Sequence, residues 1–368
     1  MAMKKRGALR VALTFVSGLS LTALAAPQEP IKESPRSRYG SGPPPYEAID
    51  VAFENIARVH LAGTLTVPHG AVQAPAVLLS QGLGSEPYDR DYPVPTAPAL
   101  KSFVAIADAL ARNGIVVLRT DDRGAGRSSG HKEQSSVQQL AGDLVAGVDF
   151  LKTRSEVDTK RIGIIGHSFA GLTVPIASVR SNDVAFVITL AGFTTDARVN
   201  FERLPLAFRA VTIATWNVLV ESLPSVSATV LEGRLQDAFT QALANFSVQD
   251  RASIEGARTA IIRQLVKWAP LYRSQDRTDP GEALRSLKKP FLGIHGAADR
   301  DLEPGRNLRP LVGFLTEARN ADFTVSTVPG IDHWMWVCSK TSGPGQHCAE
   351  MEFSPAVLDL LKNWIFKH

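Results

Sequence analysis

The chain contains few cysteines and no recognisable metal-binding motif. Only two cysteines occur among its 368 residues, and neither lies in a lipid-attachment motif near the N-terminus. The eight histidines are scattered, and no H-E-x-x-H spacing occurs. Because protein metal sites use clustered histidine, cysteine and carboxylate ligands, this composition argues against a metal centre.

Long apolar runs are also scarce, and the run near the N-terminus is too short to span a bilayer comfortably. Four bases among the first ten residues precede an apolar segment over residues 11–25, which ends in Ala-Leu-Ala. A basic region, a short apolar region and an A-x-A sequence are typical of a signal peptide. The sequence therefore predicts that residues 1–25 are removed and that the protein is exported, to the periplasm or the medium. An uncleaved membrane anchor is the alternative.

Without residues 1–25, the chain has no excess of positive or negative charge. The whole chain has 40 basic and 36 acidic residues, and residues 1–25 hold four bases and no acids, which leaves 36 of each. The pI of about 9.1 therefore does not indicate a nucleic-acid partner. With 44% apolar and 21% charged residues, the composition is typical of a globular protein.

The predicted export changes how the two cysteines are interpreted. Cys338 and Cys348 lie ten positions apart in VCSKTSGPGQHC, around a loop that contains glycine and proline. In an oxidising compartment such a local pair favours a disulfide, with two free thiols as the alternative. Closing so short a loop should stabilise the protein by roughly 2–3 kcal/mol.

The rest of the chain divides into segments of different patterning. Residues 26–46 are rich in Pro, Ser and Gly, which is typical of a flexible linker. Over residues 47–193 and again over 287–368, short apolar runs alternate with segments of helical periodicity. This alternation predicts an α/β fold with a mostly parallel central sheet and helices on both faces. Residues 194–286 contain only helical patterns, which predicts an inserted helical cap or lid, or a structural appendage.

One predicted strand ends in small residues around a serine. The sequence RIGIIGHSFAGL, residues 161–172, places apolar strand residues before Ser168 and a helix after it. A sharp strand-to-helix turn exposes such a serine, and the N-terminus of the following helix favours negative charge beside it. The G-x-S-x-[GA] match is weak evidence by itself. The prediction that Ser168 is a nucleophile therefore depends on finding its partners.

Suitable partners occur after later strands. Asp299 follows the strand PFLGIHG, and His333 follows the last strand of the chain. A serine nucleophile needs a base to accept its proton, here His333, and a carboxylate to orient that base, here Asp299. Asp301 and Asp332 are alternative carboxylates, ranked lower because Asp332 adjoins the histidine and Asp301 lies beyond the turn.

A tetrahedral intermediate also needs hydrogen-bond donors aimed at its oxyanion. The backbone N–H of the residue after the nucleophile, Phe169, is predicted to be one donor. The loop Gln-Gly-Leu-Gly after the strand APAVLLS is predicted to supply the other, with Leu83 as the candidate. A plain tight turn is the alternative interpretation of this loop.

Together these motifs resemble those of bacterial α/β-hydrolases, in particular the serine esterase and serine aminopeptidase-like group. The order Ser…Asp…His is the order found in that fold. The sequence DDRGAGRSSG, residues 121–130, resembles the turn common after its fourth strand, and we expect a structural role for it, with Arg123 tying loops together. Two positions depart from the family pattern. Ala170 replaces the usual glycine, and the oxyanion loop is QGLG rather than HG or GSG.

The resemblance implies an α/β-hydrolase fold and the hydrolysis of a small-molecule carboxylic ester through an acyl-enzyme intermediate, without a cofactor. Two alternatives remain open: an aminopeptidase or acylaminoacyl-peptidase-like enzyme, and an inactive hydrolase fold that serves as a binding protein. Substrate choice would depend on the helical insertion and on Trp334 and Trp336. These tryptophans are predicted to contact the substrate, with ordinary packing as the alternative.

Overall fold

The computed structural model describes residues 43–83, 100–202, 204–338 and 353–368. The predicted signal peptide, nearly all of the predicted linker and Cys348 lie outside the described residues, so the predictions about them stay predictions. No helix in the described ranges combines the length and the apolar character needed to cross a membrane.

The described residues form one sheet of eight strands in the order β1-β2-β4-β3-β5-β6-β7-β8. β2 pairs antiparallel with β1 and β4, and every other neighbouring pair is parallel. The mostly parallel sheet predicted from the sequence is confirmed. The strands are β1 (Tyr46–Glu54), β2 (His60–Pro68), β3 (Ala74–Ser80), β4 (Val116–Thr120), β5 (Val157–His167), β6 (Val184–Leu190), β7 (Phe291–Gly296) and β8 (Phe323–Val328).

Burial along the strands follows their position in the sheet. All residues of β3 and β7 are buried, as expected for parallel strands covered on both faces. Successive β3 residues belong to opposite faces: Leu78 packs in the core on one side of the sheet and Leu79 in the core on the other. β1, at one edge, instead has mixed half-buried and exposed positions.

Helices cover both faces of this sheet. Apolar side chains of α2, α3 and α10 pack on one face, and those of α1 and α11 pack on the other. The predicted two-sided arrangement is confirmed. These helices are α1 (Leu100–Arg112), α2 (Val137–Lys152), α3 (Ala170–Arg180), α10 (Pro304–Glu317) and α11 (Pro355–Lys367).

The remaining helices lie between β6 and β7 in the chain. Several begin at a residue whose side chain accepts a backbone N–H of the first turn: Ser227 at α6, Ser247 at α7 and Asp279 at α9. Their buried apolar residues are continuous with the core on one face of the sheet. We call this segment the helical insertion; it comprises α4 (Ala197–Phe201), α5 (Leu206–Glu221), α6 (Ala228–Leu243), α7 (Val248–Glu255), α8 (Arg258–Asp276) and α9 (Pro280–Leu284).

Candidate active site

Three side chains from three separate loops meet at the carboxyl ends of the parallel strands. Ser168 directly follows β5, Asp299 follows β7, and His333 follows β8. The distance from His333 Nε2 to Ser168 Oγ is 3.0 Å, and that from His333 Nδ1 to Asp299 Oδ2 is also 3.0 Å. The structure thus brings the predicted hydroxyl, imidazole and carboxylate into one line of hydrogen bonds.

The turn that carries Ser168 has an unusual backbone conformation. Ser168 has φ of 56°, in the left-handed region, which costs a non-glycine residue roughly 1–2 kcal/mol. Its N–H donates to the carbonyl of Leu190, and its own carbonyl accepts the N–H groups of Gly171 and Phe193, each at 2.9 Å. These three hydrogen bonds hold the strained turn against the end of β6.

Small residues allow the turn to form. A Cβ added to Gly166 would lie 2.6 Å from Val174 and 3.0 Å from the Cβ of Ala170, and one added to Gly171 would lie 2.3 Å from the Phe193 nitrogen. Ala170, which departs from the family pattern, is fully buried. Its methyl group is accommodated because glycine stands opposite it at position 166.

The carboxylate of Asp299 is fixed on both oxygens. Its Oδ1 accepts the N–H groups of Asp301 at 2.9 Å and Leu302 at 2.8 Å, and its Oδ2 faces the imidazole. The two alternative carboxylates have other surroundings. Asp301 contributes its backbone N–H to Asp299, and Asp332 accepts the N–H groups of Trp334 and Trp336 within the His333 loop.

The charges of this pair support each other. Burial alone would lower the pKa of His333, but the Asp299 carboxylate, with contributions from Asp301 and Asp332, raises it to about 9. Burial alone would raise the pKa of Asp299, but the charge and hydrogen bond of His333 hold it below its usual value. The site therefore favours an imidazolium beside a carboxylate, so the imidazole is a strong base.

Two further buried histidines contact the site. His167 donates its Nε2–H to the backbone carbonyl of His333 at 2.9 Å, and His295 Nδ1 lies 3.9 Å from Asp299 Oδ2. Burial lowers the pKa of His167 to about 3 and that of His295 to about 4, so both are neutral at neutral pH. No motif in the sequence predicts a role for them, although each stands next to or near a predicted site residue in the chain.

A close backbone approach positions the His333 loop. A Cβ added to Gly296, at the end of β7, would lie 2.2 Å from the carbonyl oxygen of Ile331. That same carbonyl accepts the Ala298 N–H at 2.9 Å. The loop is closed by an antiparallel bridge between Ile331 and Val337, and Met335 within it has φ of 64°. Glycine at 296 is thus required for the two loops to meet.

The two candidate oxyanion donors lie near the serine. A Cβ added to Gly82 would be 3.0 Å from Ser168 Cβ and 3.4 Å from Ser168 Oγ, so the loop containing Leu83 runs against Ser168. Phe169 adjoins Ser168 at the start of α3. Within the described part of the chain, the N–H groups of Leu83 and Phe169 make no backbone hydrogen bond. Their role as donors stays a prediction.

The two tryptophans of the His333 loop differ. The ring of Trp334 is half-buried and lies 4.8 Å from that of His167 and 5.3 Å from that of His333, so its predicted contact with substrate stays a prediction. Trp336 is only 2% exposed, and its indole N–H donates to Ser102 Oγ at 2.8 Å. The structure supports the packing alternative for Trp336 and not the substrate-binding one.

The turn at residues 121–130 has the structural role predicted for it. Arg123 donates from Nε and Nη2 to the two carboxylate oxygens of Asp143 on α2, at 2.5 and 2.8 Å. Gly126 has φ of 52° and lies so close to Asp121 that a Cβ would collide with the carboxylate. Among the described residues, no group of three or more His, Cys, Asp or Glu side chains is arranged to hold a metal ion.

Comparison with known proteins places this geometry in context. Residues 99–337 match the family model described as Serine aminopeptidase, S33. A curated relative, esterase EstD of Thermotoga maritima, is 32% identical over 121 residues. That alignment covers 33% of this chain and 28% of the relative, so the chain spans less than a third of the length of EstD.

Solved structures show the same architecture at low sequence identity. The α/β hydrolase GrgF from Penicillium sp. sh18 superposes with a TM-score of 0.55 at 18% identity, over 88% of this chain and 99% of that one. Dipeptidyl peptidase 4 of Porphyromonas gingivalis gives 0.52 at 15% identity, over 88% of this chain and 36% of that one. Est1E of Butyrivibrio proteoclasticus gives 0.50 at 14%, over 86% and 98%. With the α/β-hydrolase fold in place and well over half of its length matched by the family model, the chain belongs to the serine aminopeptidase S33 family of hydrolases.

Proposed function

We propose that the protein hydrolyses carboxylic esters of small molecules, with Ser168 as nucleophile, His333 as general base and acid, and Asp299 as the residue that orients the imidazole. The observation that carries this proposal is the unbroken line of hydrogen bonds from Ser168 Oγ through His333 to Asp299 Oδ2, both at 3.0 Å. Serine nucleophiles need such a base and such an orienting group.

The proposed reaction has two stages. As Ser168 Oγ attacks the ester carbonyl carbon, His333 Nε2 accepts the serine proton, and the resulting oxyanion accepts hydrogen bonds from the N–H groups of Leu83 and Phe169. The imidazolium then donates its proton to the departing alkoxide, which leaves an acyl-enzyme. In the second stage His333 takes a proton from water, the hydroxide attacks the acyl carbonyl, and the proton returns to Ser168 as the acid leaves.

The electrostatics of the pair favour this division of roles. Asp299 remains ionised because its pKa is held low, and it stabilises the imidazolium formed during attack. Since the pKa of His333 is raised to about 9, the imidazole is a strong base, and the neutral form needed for attack increases as the pH rises.

Ester cleavage is preferred because the partial similarity to EstD concerns a protein named as an esterase. A second candidate is amide hydrolysis at an aminoacyl group, which is favoured by the description of the family as serine aminopeptidases. A panel of p-nitrophenyl esters of increasing acyl length, run beside aminoacyl anilides, separates the two. Faster turnover of the anilides would replace the esterase proposal with the aminopeptidase one.

The nucleophile is tested by covalent labelling. We expect a fluorophosphonate probe to label the wild-type protein and not Ser168→Ala, with peptide mapping that places the adduct on Ser168. Ser102→Ala, a serine of α1 that bonds the Trp336 indole instead of His333, is the matched control and should still be labelled. Failure of the wild type to react would favour the alternative of an inactive binding protein.

We also propose that the protein is exported after removal of residues 1–25 and that Cys338 pairs with Cys348 there. The proposal depends on the N-terminal sequence pattern and on the short cysteine spacing. N-terminal sequencing of protein recovered from the periplasm or medium should begin at about residue 26. A mass increase of the intact chain only after reduction and alkylation would support the disulfide.

A further inference from the structure

A buried lysine lies behind the loop that carries Leu83. Lys132 is only 2% exposed, although it belongs to a short 3₁₀ turn, Lys132–Gln134, between β4 and α2. Lysine is almost never fully buried unless its ammonium group has partners, because desolvating a charge is costly. The reaction proposed above uses no lysine, so this position calls for a separate explanation.

Among the described residues, the ammonium group of Lys132 has two partners, and one is the backbone beside Ser168. Its Nζ donates to the carbonyl oxygen of Gly82 at 2.6 Å and forms an ion pair with Asp122. Gly82 is the residue that lies against Ser168, as its lack of space for a Cβ demonstrates. Lys132 also lines the same small cavity as Gln81 and Phe169. The lysine therefore stands directly behind the candidate oxyanion loop.

The peptide group links this contact to catalysis. Gly82 supplies the C=O and Leu83 the N–H of one peptide unit, and no cis peptide bond occurs in the described chain. In a planar trans peptide these two bonds point in opposite directions, so fixing the oxygen also fixes the direction of the N–H. A positive charge on the carbonyl oxygen polarises the amide as well, which makes its N–H a stronger donor.

Asp122 balances the charge of the lysine. Burial, with a smaller contribution from Asp143, raises the pKa of Asp122 above its usual value, and the charge and hydrogen bond of Lys132 and the Gln81 amide offset part of that rise. A paired lysine can remain in the interior, where an unpaired one would be strongly disfavoured. The two residues therefore differ in their contacts: Asp122 offsets the charge of the lysine, and of the two only the lysine contacts the Gly82 peptide.

We propose that Lys132 is a positioning residue of the oxyanion site. It holds the Gly82 carbonyl and thereby sets the direction and the strength of the Leu83 N–H. This inference rests on the function proposed above, in which Leu83 donates to the oxyanion. The competing explanation is that Lys132 and Asp122 form an ordinary buried ion pair that stabilises the fold and has no influence on the transition state.

The two explanations predict different results for the two partners of the ion pair. Lys132→Met and Asp122→Asn both remove the ion pair. Only Lys132→Met removes the contact with Gly82, because the amide oxygen of an asparagine at position 122 can still accept a hydrogen bond from the lysine. We expect Lys132→Met to lower kcat for the best ester substrate by about 10- to 100-fold, somewhat less than the loss of a whole oxyanion donor, with KM within about twofold. Asp122→Asn should lower kcat by less than about threefold.

A transition-state analogue gives a readout that a structural role would not change. A trifluoromethyl ketone with the acyl chain of that ester forms an oxyanion on Ser168, so its inhibition constant should rise in Lys132→Met by about the factor lost in kcat. Lys132→Arg, which keeps the charge and the hydrogen-bond donors, should lose less kcat and less affinity for the analogue than Lys132→Met. Lys289→Met is the control, because Lys289 is a half-buried lysine that donates to the Ser181 carbonyl elsewhere.

The outcomes separate this inference from the proposed function. Two results would overturn the positioning role and leave the proposed esterase function intact. One is that folded Lys132→Met has the kcat and the inhibition constant of the wild type. The other is that Lys132→Met and Asp122→Asn lose kcat equally. If Lys132→Met does not fold, the double variant Lys132→Met/Asp122→Asn, which leaves no unpaired buried charge, is compared with Asp122→Asn alone in the same way and decides. An unlabelled, inactive wild type would instead contradict the proposed function, whatever the lysine variants do.

Discussion

Different interactions stabilise the loops at the ends of the parallel strands and the helical insertion. The described loops that follow β5, β6, β7 and β8 contain three non-glycine residues in the left-handed region, Ser168, Ala191 and Met335, and buried polar contacts hold these loops in place. The helical insertion, in the residues described between 197 and 284, contains no residue with positive φ. It is held by apolar side chains such as Leu235 and Phe239, both fully buried.

The loops are stabilised by interactions that depend on direction, and the helical insertion by packing that depends on volume. Hydrogen bonds and tight backbone approaches fix the orientation of a few atoms, and small displacements have large effects on reactivity. Apolar packing tolerates rearrangement as long as the volume is filled. The insertion also leaves apolar residues exposed, among them Leu206, Leu223 and Val248. We therefore expect substitutions in the loops to affect catalysis first and those in the insertion to affect stability first.

The largest effect is expected when the hydrogen-bonded line itself is broken. His333→Ala should lower kcat/KM by about 10⁶-fold and Asp299→Asn by about 10⁴-fold, because the first removes the proposed base and the second the carboxylate proposed to orient it. Both variants should retain the circular dichroism spectrum of the wild type. Asp332→Asn is the matched control, since Asp332 caps the loop through Trp334 and Trp336. A loss as large as that of Asp299→Asn would mean that the carboxylates were assigned in the wrong order.

A smaller loss of activity is expected when a methyl group is added at Gly296, where the loop after β7 meets the His333 loop. Gly296→Ala places a Cβ where the Ile331 carbonyl stands, so the His333 loop must move. We expect a loss of about 1–3 kcal/mol in the free energy of unfolding and at least about a tenfold drop in kcat. Urea unfolding and ester kinetics measure the two quantities.

Gly313→Ala is the control for that substitution. Gly313 lies on the exposed side of α10 with no atom near the position of a Cβ, so alanine should stabilise the helix by up to about 1 kcal/mol. Equal behaviour of the two alanine variants would contradict the close approach at Gly296.

Substitutions in the helical insertion should lower stability more than reactivity at Ser168. Leu235→Ala removes a fully buried side chain from α6 and should cost about 2–4 kcal/mol in unfolding free energy, while the rate of fluorophosphonate labelling at Ser168 changes by less than about threefold. Val230→Ala on the same helix is half exposed and should have little effect on either. A large drop in labelling rate with Leu235→Ala would mean that the insertion shapes the site directly.

The smallest effect concerns pH, where the site and overall stability should change in opposite directions. The folded pKa of His333 is raised from 6.5 to about 9, so the stability it contributes is complete below pH 6.5 and is lost as the pH rises through 9. Over the same window the neutral base increases, so kcat/KM should rise. His167 and His295 stay neutral there, because burial lowers their pKa values to about 3 and 4.

Asp301→Asn tests the origin of this shift. Asp301 raises the pKa of His333 by its charge but binds Asp299 only through its backbone N–H, which asparagine retains. The midpoint of the kcat/KM profile should move to lower pH by less than one unit. An unchanged midpoint would show that this carboxylate does not act on the imidazole.

Much of the frame could be predicted from the sequence, because each strand and helix carries its own periodicity. The strand APAVLLS coincides with β3 and PFLGIHG contains β7, and the small residues around Ser168 indicate the turn directly. Lys132 could not be found in this way. A lysine in a polar loop is ordinarily exposed, and nothing in the local sequence states that the Gly82 carbonyl and Asp122 will lie at its end.

The same limit explains the errors and omissions around His333. The apolar character of the His333 loop predicts that Trp336 contacts substrate, yet the Asp332 carboxylate turns the loop so that the indole reaches Ser102 in the core. His167 and His295 contact residues far away in the chain or across a turn. Such contacts depend on which loops approach each other, and periodicity carries no information about that.

The left-handed backbone at Ser168 has a practical consequence for trapping a bound substrate in a crystal. An alanine at this position keeps the unfavourable φ, whereas a glycine adopts it freely. After allowance for the greater entropy of an unfolded glycine, the glycine variant should be more robust than the alanine variant by about 1 kcal/mol. Ser168→Gly is thus the better inactive variant for soaking crystals with an intact ester.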